Sequence, residues 1–156
     1  MTVRFLLALA AAAFAVWFPT ASCAQQDVAV EVFVSRDDGF AVPASYGRYA
    51  AAGFRVVVFE VDGFKTIEAE LSEGLPADPD RARAIVEARL RAGGDALQAR
   101  MQRFGVGIER ALTLGVTEYP AIAFGDGTGE AEAIVYGETD LVAATDAFIA
   151  YRESSR

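Results

Sequence analysis

The sequence of 156 residues contains no histidine, and its single cysteine is Cys23. Cys23 sits at the end of an N-terminal stretch that reads as a secretory signal. The chain left after processing therefore has no thiol, no disulfide and no imidazole. Those absences remove whole classes of chemistry. Ser-His-Asp hydrolases, Cys-His proteases, the usual zinc sites and dithiol exchange each need a residue type that the processed chain lacks. Lysine is nearly missing too, Lys65 being the only one, and tryptophan occurs once, at Trp17. Positive charge is in short supply: 14 basic residues face 22 acidic ones, for a formal net charge of −8. Such a surface repels phosphate backbones and anionic lipid, which argues against nucleic acid as a direct partner. What remains for chemistry is carboxylates, hydroxyls, tyrosines and arginines.

The N-terminus supplies what an exported chain needs. Arg4 gives a positive start, Phe5 to Phe18 is an apolar run too short to span a bilayer comfortably, and Ser22-Cys23-Ala24 offers small residues for cleavage. Residues 1–24 are read as a signal peptide, with the mature chain starting at Gln25. Two alternatives stay open. The run can serve as an anchor helix, or Thr20-Ala21-Ser22-Cys23 can act as a lipobox with Cys23 lipidated, although its first position usually wants Leu. Removal of the signal leaves 156 − 24 = 132 residues, enough for one domain with a real core, residues 25–156. The mature charge becomes 13 − 22 = −9, since Arg4 is the one charged residue lost. Arginine and alanine with one lysine suit a GC-rich bacterial genome, so export leads to the periplasm.

Along the mature chain, Val28, Val30, Val32 and Val34 alternate as one face of a strand. Ser35-Arg36-Asp37-Asp38-Gly39 is a turn, and Tyr46 to Ala52 is a short helix ended by Gly53. Arg55 to Val61 is nearly all β-branched and aromatic, which fits a strand covered on both faces. Lys65 to Leu71 is helical. Asp78 caps a helix with Pro79 at its first position, and Ile85, Val86 and Leu90 face inward. Gly93-Gly94 breaks that helix. A second one follows, with Leu97, Met101, Phe104, Ile108 and Leu112 as its apolar face. Gly105 and Gly107 inside it predict a kink or a close approach. Gly115 ends it, Pro120 to Phe124 and Glu132 to Tyr136 form a hairpin, and Thr139 or Asp140 caps a last helix striped by Leu141, Ala144, Phe148 and Tyr151.

The segment Gly115-Val116-Thr117-Glu118-Tyr119-Pro120-Ala121-Ile122-Ala123-Phe124 is the most informative. A capped helix end runs into a buried strand that opens with proline, where a missing N–H is tolerated. The β-α-β, helices, β-β-α order and this segment resemble thioredoxin-like domains, which place such a proline, usually cis, beside their active site. Both a cis Tyr119-Pro120 bond and a trans proline opening the strand stay open. The resemblance implies an α/β fold, a thioredoxin-like sandwich with a four-stranded mixed sheet and a helical insertion, and the sequence departs from it in having no Cys-x-x-Cys.

Further motifs narrow the resemblance. Val30-Glu31-Val32-Phe33, Glu68-Ala69-Glu70-Leu71-Ser72-Glu73-Gly74-Leu75-Pro76, Gly115-Val116-Thr117-Glu118-Tyr119-Pro120-Ala121 and Val135-Tyr136-Gly137 resemble the exported proteins encoded in integrating conjugative elements. That family is similar to the thioredoxin-like TrbC of F-type conjugative pilus assembly. The resemblance covers nearly the whole mature chain. It implies a periplasmic role in mating-pair formation by a type IV secretion apparatus, with other conjugative secretion proteins as partners, and it carries over no catalytic residues. Asp126 to Glu132 departs from it as a longer, more acidic turn.

The residue groups that invite a functional reading each have a plainer one. Asp37 and Asp38 beside Ser35 can bind a cation or orient a partner, but Ser-x-Asp-Asp-Gly is also ordinary turn and cap chemistry. Asp126, Glu130 and Glu132 do not follow a calcium-loop spacing and suit a hairpin turn. Arg81, Arg83, Arg89, Arg91, Arg100 and Arg103, interleaved with Asp80, Glu87 and Asp95, read as a salt-bridged solvated face or as a strip for an acidic partner. Lys65, Glu68 and Glu70 form a trio that any exposed helix supplies. The expectation is a docking protein with neither cofactor nor metal and no membrane span after signal removal. In thioredoxin-like domains the backbone before the proline pairs with an extended peptide. Here Glu118, Tyr119 and Pro120 would form that edge, with Ser35, Asp37 and Asp38 beside it. The alternative class is an enzyme, either a chaperone-like isomerase or a carboxylate-based hydrolase.

Overall fold

The computed structural model describes residues 27–156. The signal read over residues 1–24, the cleavage point before Gln25 and the lipobox at Cys23 lie outside the described residues. The elements are β1 (Val28–Val34), α1 (Gly47–Ala51), β2 (Phe54–Glu60), α2 (Gly63–Ser72), α3 (Pro79–Leu114), β3 (Ala121–Gly125), β4 (Ala131–Tyr136) and α4 (Leu141–Ser154), with short 3₁₀ turns at Arg36–Asp38 and Ala44–Tyr46. The four strands form one mixed sheet in the order β2-β1-β3-β4. β1 runs parallel to β2 and antiparallel to β3, and β3 and β4 form an antiparallel hairpin.

Alternation along β1 divides the interior in two. Val28, Val30, Val32 and Val34 enter a cluster with Tyr46, Tyr49, Ile122, Phe124, Leu141, Ala144 and Phe148, so α1 and α4 cover that face. Phe33 points the other way, into a smaller cluster with Ala111, Val116, Ala121 and Ala123 under α3. The first cluster is rich in aromatic contacts: Phe124 and Phe148 stack at 4.4 Å with 8° between their planes. Phe54 meets Phe148 edge-on at 6.4 Å. Such pairs add to the energy of area burial. On the other face Phe33 stacks on Phe59 at 5.2 Å. Glu31 also lies on this side, only 9 % exposed. Arg110 of α3 donates from Nε to both of its carboxylate oxygens, at 2.8 and 2.9 Å.

Three expectations about packing need correction. β2 is not covered on both faces, because the strand order puts it at the sheet's edge; Val57 and Val58 are 47 % and 41 % exposed. The inward stripe of α3 is not the run of large apolar residues. Phe104, Gly107 and Ala111 are buried, whereas Leu112 is 73 % exposed and Met101 and Leu90 face water. The cause is a close approach: a side chain at Gly107 would come within 3.2 Å of Phe59 Cβ, so small residues mark the contact. Tyr151 likewise lies outside the buried side of α4. The expected break in the long helix holds, with Gly94 at φ 43° and ψ −136° interrupting α3. Asp140 is the cap of α4, accepting from the N–H groups of Val142 and Ala143. Leu141, Ala144 and Phe148 of that helix are buried as expected.

Candidate functional site

The strand register gathers the candidate residues at one end of the sheet. Phe33 of β1 lies opposite Ala121 of β3, and Ala121 lies opposite Tyr136 of β4. Val34 lies opposite Glu60 of β2. The chain leaving β1 at Ser35 and the chain entering β3 through Tyr119-Pro120 therefore meet the sheet at the same end. Asp62, just beyond β2, joins them there.

Ser35, Asp37 and Asp38 are engaged in local structure. Ser35 Oγ accepts from the Asp37 N–H at 3.3 Å, and the Asp38 carboxylate accepts from the Ser35 N–H at 2.7 Å. This reciprocal pair caps the Arg36–Asp38 turn, which Gly39 ends in the left-handed conformation at φ 60°. Asp62 ties the turn to the end of β2. It accepts from Ser35 Oγ at 2.7 Å and from the Arg36 N–H at 3.0 Å. Partial burial opposes ionisation of Asp62. The hydrogen bonds from Ser35 and from the Arg36 and Asp62 backbone, together with the Lys65 charge, outweigh it and hold the carboxyl below its usual range. Turn and cap chemistry thus accounts for this group, and among the described residues no cluster of acidic side chains has the arrangement to hold a metal ion.

The β3 entry differs in kind. Gly115 closes α3 in the left-handed conformation at φ 71°, and Val116 is buried beneath it. Glu118 and Tyr119 then cross the sheet end in the open, with Tyr119 47 % exposed. The Tyr119-Pro120 peptide bond is cis. The Pro120 carbonyl accepts from the Gly137 N–H at 2.8 Å, which binds the start of β3 to the end of β4. Among the described residues no backbone hydrogen bond engages Glu118 or Tyr119. Their N–H and C=O groups are left to water or to a partner.

The remaining groups resolve into structural roles. Asp126 accepts from the N–H groups of Thr128 and Gly129 and so shapes the β3–β4 turn; those bonds keep its carboxyl below the usual range. Glu132 pairs with Arg152 of α4 at 3.3 Å. The Lys65, Glu68 and Glu70 trio does not act as a unit, because Arg100 takes Glu70 in two hydrogen bonds of 2.8 and 2.9 Å. The arginine-rich helix departs from expectation as well. Among the described residues none of its arginines pairs with Asp80, Glu87 or Asp95. Arg100 reaches to α2 instead, and Arg89 donates to the Leu71 carbonyl at 2.7 Å. A cleft of about 710 Å³ lies between β2, α2 and α3, lined by Arg36, Glu60, Glu70, Arg100 and Arg103 among others. Sequence reasoning gave Arg36 and Arg110 no role. The one signal for Arg110 was Glu31, a charge inside an apolar strand that needs a partner from elsewhere in the chain.

The family model described as "Protein of unknown function (DUF1525)" matches residues 44–154, and the chain belongs to that family. No curated protein and no solved structure matches it.

Proposed function

We propose that this family member is exported to the periplasm and works there as a non-enzymatic component of a conjugative type IV secretion, or mating-pair formation, system encoded by an integrating conjugative element. It acts by docking other conjugative secretion proteins. The observation that carries the docking reading is the Glu118-Tyr119 segment. Two consecutive residues expose backbone groups that have no partners among the described residues. They sit immediately before a cis proline that opens a central strand. An extended peptide can add to such groups by main-chain hydrogen bonds. Tyr119 beside them is a large amphipathic anchor.

The fold reading behind this is a thioredoxin-like sandwich. Its support is the order β2-β1-β3-β4, the parallel β1–β2 pair, the antiparallel β3–β4 hairpin, and helices on both faces. The conjugative setting rests on the motif resemblance, and export rests on residues 1–24. No helix among the described residues is long and apolar enough to cross a membrane. A chaperone-like isomerase or a carboxylate-based hydrolase remains the alternative class. Against the hydrolase, the most engaged carboxylate at this sheet end, Asp62, is held ionised as a structural acceptor rather than poised to move a proton.

Tyr119→Ala tests the docking edge. Co-purification of mating-pair formation proteins with the tagged chain should fall, and transfer frequency of the element should fall with it. Unchanged co-purification by Tyr119→Ala sinks the edge. A transfer defect reproduced by one carboxylate substitution in a stably folded protein would favour an enzyme instead. Export has its own check. Trp17 is the only tryptophan, so the processed chain should lack indole emission and begin at Gln25 by mass spectrometry.

A further inference from the structure

We infer that the free edge of the sheet at β2 receives an extended acidic segment of a partner protein, held by main-chain pairing and by Arg36 and Arg103. This is a second docking surface, separate from the Glu118-Tyr119 edge.

The argument starts from hydrogen-bond parity. The Val28 N–H donates to the Gly53 carbonyl and the Val61 N–H donates to the Val34 carbonyl. With the uninterrupted parallel register from Val28↔Phe54 to Val34↔Glu60, this directs the odd-numbered residues of β2 toward β1. The N–H and C=O groups of Phe54, Val56, Val58 and Glu60 therefore point outward. Nothing among the described residues pairs with that side of β2.

Natural edge strands are commonly blunted by proline, a bulge, charged side chains or extreme shortness. β2 has no proline and no bulge, and its two charged residues, Arg55 and Glu60, leave the Val56–Phe59 centre without one. It is seven residues long, Phe-Arg-Val-Val-Val-Phe-Glu, in unbroken register. Val57 and Val58 stand 47 % and 41 % exposed at its centre. A row of open amides flanked by exposed valines is a template for one more strand.

Charge selects which strand. The molecule as a whole is acidic, at −8, yet the cleft beside the C-terminal half of β2 gathers Arg36, Arg100 and Arg103. Arg100 is neutralised by its bidentate bond to Glu70. Arg36 and Arg103 are exposed and take part in no ion pair among the described residues. Within the lining of the cleft only Glu60 stands against them, which leaves that lining with one surplus positive charge, while Asp37, Asp38 and Asp62 lie on the far side of Arg36. An added strand projects alternate side chains to the α3 face. Glutamate or aspartate at every second position would therefore meet Arg36 and Arg103, while the intervening residues cover Val58 on the opposite face.

The test uses the processed chain and a fluorescein-labelled ten-residue peptide of alternating glutamate and threonine, with binding read by anisotropy. The peptide should bind saturably and release as salt rises toward physiological strength. The lysine–threonine counterpart should not bind. Arg36→Glu with Arg103→Glu should weaken binding by about tenfold or more. Val58→Pro removes an outward N–H without touching the β1–β2 ladder and should do the same. Arg36→Ala with Arg103→Ala changes only exposed side chains, so it keeps the test decisive if the proline variant misfolds. Tyr119→Ala should leave peptide binding unchanged, which separates this edge from the other one. No saturable binding, equal binding of the lysine peptide, or binding unaltered in the arginine variants overturns the inference. So does self-association through β2, blocked by Val58→Pro, without peptide binding.

Discussion

The two faces of the sheet are built to different standards. The face under α1 and α4 is a dense aromatic core: Phe124, Phe148, Leu141 and Val30 are fully buried, and Tyr46 and Tyr49 close it. Among the described residues its buried side-chain polar groups all have partners. Thr145 Oγ1 donates to the Leu141 carbonyl at 2.7 Å and lies 3.2 Å from the Tyr46 hydroxyl. The face under α3 is thinner. Its buried cluster is largely alanine and valine with Phe33, and the Glu31–Arg110 ion pair runs through it. The difference teaches where stability and recognition separate. A face closed by aromatics holds the sheet together. A face bridged by small residues and one ion pair leaves a strand edge, a cleft and exposed side chains such as Leu112 available at the surface.

Removing an aromatic from the dense face should have the largest effect. Phe148→Ala is expected to cost about 3–5 kcal/mol, measured by urea denaturation. Phe59→Ala, at a partly buried position on the other face, should cost clearly less. Equal losses would erase the distinction. Next comes the ion pair. Arg110→Ala leaves the Glu31 carboxylate in a largely buried position without its partner, at about 3 kcal/mol. Replacing both residues by leucine should recover most of that loss, since the pair itself adds little net stability. Failure of the double variant to recover would show that the pair does more than offset its own burial. Tyr46→Phe should cost about 1 kcal/mol, a modest effect because Thr145 keeps its bond to Leu141.

Asp62 sharpens the comparison at the open end of the sheet. Its folded pKa is depressed. Its contribution is therefore present above the unfolded carboxyl value of about 3.9 and is lost as pH falls through the lower folded value. The site is partly solvated, so the contribution is under about 1 kcal/mol. Asp62→Asn should flatten the acid limb of stability below about pH 4 and leave the slope at neutral pH unchanged. The smallest expected effect on stability belongs to Tyr119→Ala, within about 0.5 kcal/mol because the ring is exposed. A large loss there would make Tyr119 part of the core rather than a docking anchor.

Much of this was legible in the chain itself. The valine alternation from Val28 to Val34 separated the two faces. Gly53, Gly115 and Asp140 fell where elements end or begin, and Gly94 where α3 breaks, each because of a local backbone or capping preference. The Gly115–Phe124 segment marked the sheet end where the candidate residues gather. Other features depend on contacts between elements. Hydrophobic size alone does not mark the inward positions of α3: the helix meets Phe59 of β2 at Gly107 and packs Ala111 in the cluster with Phe33, where closeness matters more than apolar area. The spacing of arginines and carboxylates along α3 suggests pairs within the helix, whereas Arg100 and Arg89 bind α2.

The sequence by itself determined the local punctuation, the chemistry that is missing and the two-sided character of β1, because these depend on residues a few positions apart. Only the tertiary structure decided that a strand with a Val-Val-Val-Phe centre, Phe54–Glu60, lies at an edge. It alone decided that Glu31 finds Arg110, 79 residues away, and that Glu118 and Tyr119 keep their backbone groups unpaired among the described residues. Those outcomes follow from strand order and helix placement. Contacts between distant segments set both, and no window of sequence contains them.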